Sequence, residues 1–89
     1  MIEKEIEVVN RLGLHARAAA KLVHTASSFR SQVAICRDGE EVDGKSILGI
    51  LLLAAPQGSR LQVRCEGGDE EGAMEALTRL FADRFGEGS

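Results

Sequence analysis

The stretch QVAICRDGEEV, Gln32 to Val42, decides the fold. Asp38-Gly39 is a dipeptide favoured in two-residue hairpin turns, because both central positions need positive φ. QVAICR before it and EEV after it therefore read as two antiparallel strands, the second and third of the chain. Toward the N-terminus, Ala16, Ala19, Ala20, Val23 and Ala26 recur at helical spacing, while Arg17, Lys21, His24 and Ser28 fill the opposite stripe. That pattern predicts an amphipathic helix beginning near His15. Earlier still, Ile2, Ile6 and Val8 fall on one face of a segment whose other face holds Glu3, Glu5 and Glu7, as in a half-buried strand.

Toward the C-terminus, Ser46 precedes a short apolar helix that runs to about Leu53 and is ended by Pro56 and Gly58. Leu61, Val63 and Cys65 then alternate with Arg60, Gln62 and Arg64 in a fourth strand. Gly67-Gly68 makes a turn, Asp69 is the expected N-cap of a last helix, and Glu70 and Glu71 suit the positive end of its dipole. Ala73, Leu77, Leu80 and Phe81 mark the buried face of that helix, with Gly86 as its C-cap. The order is βαββαβα. Helices separated by a hairpin, and strands with polar outer faces, predict an α+β open-faced β-sandwich: a four-stranded antiparallel sheet covered on one face by three helices.

Composition sets the bounds. The 89 residues carry 11 basic and 14 acidic side chains, a net charge of −3, and 44% hydrophobic residues. This fits one domain spanning residues 1–89 with a single two-layer core, and excludes the large multi-domain enzyme architectures. The start, MIEKEIEVVN, lacks a basic segment followed by an apolar one, and the longest apolar run, Ile47 to Ala55, is about half a membrane span. A cytoplasmic protein without membrane insertion is expected. Cys36 and Cys65 have no ligand-spaced companions, so they read as small buried hydrophobes and no metal site is expected.

The charges are uneven. No acid lies between Val8 and Arg37, whereas Arg11, Arg17, Lys21, Arg30 and Arg37 do. Such a run is either a plain solvated surface or a site for an anion or an acidic protein partner. Nucleic acid is the weaker reading, because no stacking aromatic accompanies the charge. His15 stands where the first helix begins, so the unpaired amides of Ala16, Arg17 and Ala18 would point at whatever its ring carries, a cradle for phosphate. The positive helix end opposes a second proton on the ring, leaving a neutral nitrogen able to act as nucleophile, and Arg17 can neutralise an incoming phosphoryl group. The bland alternative is a polar cap residue. His24, mid-helix on the polar stripe, reads as solvated surface rather than a catalyst, although it could touch a partner.

The helix after Ser46 is apolar all round, and a two-layer sandwich covers only one side of it. Ile50, Leu53 and Ala54 share one face and Ile47, Leu48 and Leu51 another, so one set should stay exposed as a docking patch. Ser46 itself reads as an N-cap, and a phosphate added there would sit well on the helix dipole while placing charge beside the patch.

Together these residues resemble the HPr family, the histidine-containing phosphocarriers of the bacterial phosphoenolpyruvate-dependent sugar phosphotransferase system. The resemblance spans essentially the whole chain and is carried by GLHAR, Gly13 to Arg17, and GKSILGIL, Gly44 to Leu51. It implies that His15 accepts a phosphoryl group on Nδ1 from phosphorylated enzyme I and passes it to the A-component of a sugar permease, with Arg17 stabilising it. It implies that Ser46 is the regulatory serine of a bifunctional kinase/phosphorylase. It also implies that Ile47, Leu48 and Leu51, with Lys21 and His24, belong to the partner-docking surface of a monomer needing no cofactor. Where the family usually reads GLHARPA, this chain has Ala18. Three alternatives stand beside this reading. One is a regulatory paralogue on the nitrogen branch of the same relay. Another is a protein-binding module without phosphotransfer. The third is an acylphosphatase-like small sandwich enzyme, whose chemistry needs a glycine-rich loop that Gly13 alone does not supply.

Overall fold

In the computed structural model, which describes residues 1–89, the order is β1 (Ile2–Glu7), α1 (Ala16–Ser27), β2 (Gln32–Arg37), β3 (Glu40–Asp43), α2 (Ile47–Leu52), β4 (Arg60–Glu66) and α3 (Glu70–Ala82), followed by a single 3₁₀ turn, Arg84–Gly86. The hairpin forms as the dipeptide requires, with Asp38 at φ 51° and Gly39 at φ 84°. Strand order across the sheet is β1-β4-β2-β3, every pair antiparallel. Cys65 sits opposite Ile2 on one side and Val33 on the other, and Ile35 opposite Val63, so the apolar residues of three strands line one face. The three helices cover that face, burying Ile6, Val33, Ile35, Leu61, Val63 and Cys65 beneath them. The other face carries Glu5, Arg60, Gln62, Arg64 and Glu41, cross-linked by Arg60–Glu5 at 3.2 Å and Arg64–Glu41 at 2.8 Å. This is the open-faced sandwich predicted from the sequence.

Several local expectations are corrected. The buried stripe of α1 is Ala18, Ala19, Leu22 and Ala26, whereas Ala16 and Ala20 are exposed and Val23 only half-buried. An alanine-rich helix gives periodicity little to choose between, and Leu22 fixes which stripe turns inward. Cys36 is half-buried rather than core, because its register places it opposite Gln62 on the open face; both cysteines are free. Ala54 is exposed at φ 49°, past the end of α2. Leu80 is half-buried, and Met74 takes a core place on α3. The basic residues of the stretch fall on different elements. Only Arg17 and Lys21 lie on α1, while the Arg37 guanidinium donates to the Leu53 carbonyl at 3.0 Å, closing the C-terminal end of α2.

Asp69 and Gly86 also play other parts than expected. The Asp69 side chain makes no cap bond to α3 and turns instead to the amides of Arg30 and Ser31, both at 2.9 Å. Helix α3 stops at Ala82, before Gly86. Arg84 and Phe85 then adopt left-handed backbone, at φ 55° and 54°, which doubles the chain back and seats the Phe85 ring in the core at 1% exposure. Phe85 meets the ring of Phe81 edge-on, with centroids 5.0 Å apart.

Candidate functional site

The site begins with a glycine. Gly13 sits at φ +66°, and a Cβ there would lie 2.5 Å from the Ala55 carbonyl oxygen and 2.9 Å from Pro56 Cα, so only glycine fits the turn. The turn lets Leu14 bury its side chain and donate its amide to the Ala55 carbonyl at 2.9 Å. His15 is thereby set at the N-cap of α1, with extended backbone at φ −73° and ψ 177°. The helical ladder starts with the Ala19 amide, which donates to the His15 carbonyl at 2.8 Å. The amides of Ala16, Arg17 and Ala18 precede it and lack intrahelical acceptors. The Arg17 amide donates to the ring Nδ1 of His15 at 3.3 Å, so the imidazole itself serves as the cap acceptor. The Arg17 side chain is exposed beside it.

The other ring nitrogen has a partner from the far end of the chain. Nε2 meets the Glu87 carboxylate, whose second oxygen accepts from the Asn10 side-chain amide at 3.1 Å. Asn10 is fully buried and also donates to the Gly13 carbonyl at 2.8 Å, so one side chain braces both the turn and the carboxylate. Burial pushes the Glu87 carboxyl up, but the hydrogen bonds from His15 and Asn10 outweigh it and hold it below its ordinary value. Lys21 reaches the same corner, donating to the Phe85 carbonyl at 2.5 Å, and the Arg11 amide donates to the Ser89 carbonyl at 3.1 Å. The Arg17 amide, a donor, faces Nδ1 and the Glu87 carboxylate, an acceptor, faces Nε2, an arrangement that suits a proton at Nε2 and a lone pair at Nδ1. The His15 side chain keeps 28% of its surface accessible.

The second region lies on α2. Ser46 is its N-cap, its hydroxyl accepting from the Gly49 amide at 3.1 Å. Ile50 and Leu53 are buried, while Ile47, Leu48 and Leu51 are 45%, 69% and 36% exposed, so the split into two faces follows the sequence except at Ala54, which is exposed. Leu52 and Leu12 are exposed as well and extend the apolar surface. Helices α1 and α2 pack against each other, and His24 lies exposed on α1.

Of the residues singled out from the sequence, His15 and Arg17 lie together at the start of α1 and Ser46 caps α2 beside the exposed Ile47 and Leu48, whereas Glu87 and Asn10, which come to His15 from elsewhere in the chain, are not among them. The one signal for Glu87 is Phe85, an isolated aromatic in an otherwise polar tail, whose burial folds that tail back over the start of α1. No three His, Cys, Asp or Glu side chains come together as a metal site would need, and no helix is long and apolar enough to cross a membrane.

An open-faced βαββαβα sandwich with an accessible histidine capping its first helix defines a class of small phosphocarrier domains. Residues 2–83 match the family described as the PTS HPr component phosphorylation site. The phosphocarrier protein HPr of Xylella fastidiosa (strain Temecula1) is 54% identical over 87 residues, covering 98% of each chain, and that of Cupriavidus necator is 50% identical over 88 residues, covering 99% of each. The crystal structure of HPr-C-His from Thermoanaerobacter tengcongensis superimposes with a TM-score of 0.95 at 47% identity, covering 98% of both chains. The chain belongs to the HPr family, the phosphocarrier proteins of the phosphotransferase system.

Proposed function

We propose that His15 accepts a phosphoryl group on Nδ1 from phosphorylated enzyme I and donates it to the A-component of sugar permeases. The observation that carries this reading is the placement of Nδ1 on the Arg17 amide at the N-terminus of α1, where its lone pair faces the positive helix end. In the transfer, the Arg17 amide turns from Nδ1 to the incoming phosphoryl oxygens, the freed lone pair attacks the phosphorus of the phosphorylated donor, the donor's own bond to phosphorus breaks, and the donor atom keeps the electron pair. The amides of Ala16, Arg17 and Ala18 and the Arg17 guanidinium then meet the charge on the phosphoryl oxygens. The chain is the substrate at each step rather than an enzyme, and residues 1–89 act as one cytoplasmic, monomeric carrier domain.

Docking falls to the exposed Ile47, Leu48 and Leu51, with Lys21 and His24 at the edge on α1. Phosphorylation of Ser46 by an HPr kinase/phosphorylase would add charge beside this apolar surface and weaken docking without unfolding the domain. The test is incubation with enzyme I and radiolabelled phosphoenolpyruvate. Acid-labile, base-stable label on the protein, absent from His15→Ala, supports the carrier, whereas an unlabelled native protein leaves only a binding module. Chasing that label with A-components of sugar permeases and of the nitrogen branch identifies which accepts it.

A further inference from the structure

We propose that Glu87 is a positioning residue for phosphotransfer, holding His15 as the Nε2–H tautomer so that Nδ1 presents its lone pair to the donor. The proposal rests on the reading of His15 as phosphoryl acceptor. A neutral imidazole in water exchanges its single proton between two nitrogens, and only the form with Nδ1 bare can attack from the helix N-terminus. The carboxylate of Glu87 accepts only, so it favours a proton at Nε2, while the Arg17 amide donates only, so it favours a lone pair at Nδ1. The two contacts select the same tautomer from opposite sides of the ring.

The carboxylate is itself fixed. Asn10, fully buried, donates to it from below, and the tail that carries it is anchored by the Phe85 ring in the core, by Lys21 on the Phe85 carbonyl and by the Ser89 carbonyl on the Arg11 amide. A tail held only by fraying backbone would not keep a side chain at hydrogen-bond distance; four separate attachments do. Once phosphorus is bonded to Nδ1 and Nε2 keeps its proton, the ring carries positive charge. Glu87 faces that proton and offsets the charge as it develops, the role an acidic partner plays for a histidine elsewhere in nucleophilic chemistry.

The experiment compares native protein with Glu87→Gln and Glu87→Ala by two readouts. Nitrogen-15 NMR of the neutral, unphosphorylated ring reports the tautomer. We expect Nε2–H to dominate in the native protein and the ratio to move toward Nδ1–H in Glu87→Ala, and less in Glu87→Gln, whose amide oxygen still accepts from Nε2. Initial rates of label transfer from enzyme I report the chemistry. We expect a drop of about tenfold in kcat with KM for the carrier little changed, as removal of an orienting partner of a histidine commonly gives. A purely structural role would lower the melting temperature and leave the tautomer ratio as it is. An unchanged ratio in Glu87→Ala, or a rate within twofold of native in that variant, overturns the proposal. Absence of label on the native protein would instead sink the carrier reading and with it the transfer half of the proposal, while the tautomer comparison decides the orienting half alone.

Discussion

Asp69 grips Ser31 twice, one carboxylate oxygen accepting both its amide at 2.9 Å and its hydroxyl at 2.5 Å. The other oxygen takes the Arg30 amide at 2.9 Å, so the N-cap residue of α3 is spent on the loop that feeds β2. Ser31 is 1% exposed, which leaves its hydroxyl no water to turn to.

Strong acid should open this clamp. The Ser31 hydroxyl, then the Arg30 amide, hold the Asp69 carboxyl down to about 2 from an ordinary value of 3.8. A depressed native value means the unfolded chain binds the proton first, so the contribution is full above about pH 4 and is lost as pH falls toward 2. Melting temperature plotted against pH should therefore fall across that window in the native protein and fall less steeply in Asp69→Asn. Parallel curves would refute the assignment.

Phe85→Ala should be among the most damaging single changes. It empties a 1%-exposed site against Phe81 and should lower the unfolding free energy by about 3–5 kcal/mol, read by chemical denaturation. The tail should detach with it, so the tautomer ratio of His15 should shift as it does in Glu87→Ala.

Ser46→Asp separates regulation from stability. Aspartate caps a helix as well as serine does, so the Gly49 amide keeps an acceptor and the melting temperature should stay within a few degrees. The added charge stands beside exposed Ile47 and Leu48, and phosphorylation at His15 should slow by on the order of tenfold at low carrier concentration. Equal rates would remove the serine from regulation.

Leu48→Glu reads docking directly. The side chain is 69% exposed, so folding should be nearly indifferent to it. Enzyme I should show a rise of roughly tenfold in KM for the carrier, equivalent to about 1.4 kcal/mol of binding, with kcat close to native. An unchanged KM would place the docking surface elsewhere.

Ala18→Pro restores the residue usual in the family. The Ala18 amide lies in the first turn, where no intrahelical bond is lost, and its side chain is fully buried. Phosphoryl acceptance should remain within about tenfold of native. A far larger loss would mean that the amide of Ala18 is itself required at the phosphate.

Strands, turns and helices were largely legible in the chain, since alternation and the Asp38-Gly39 pair are local signals that the sheet only has to accept. The histidine at a helix start, and an apolar helix with more greasy faces than one sheet can cover, were legible for the same reason. Ser46 and Arg17 follow from position alone.

What the sequence could not settle were choices made by distant partners. Among the alanines of α1, hydrophobicity does not say whether Ala16 or Ala18 turns inward; packing around Leu22 does. Asp69 had an expected place at a helix start, yet two amides and a hydroxyl of the Ser31 loop offered more hydrogen bonds than its own helix could. Glu87 stands 72 positions from His15, and nothing local marks it. Its place is decided by a left-handed bend at Arg84 and Phe85, whose strain is offset here by burial of the Phe85 ring. Local periodicity is written residue by residue, whereas the pairing of a carboxylate with an imidazole across the whole chain exists only once the core has closed between them.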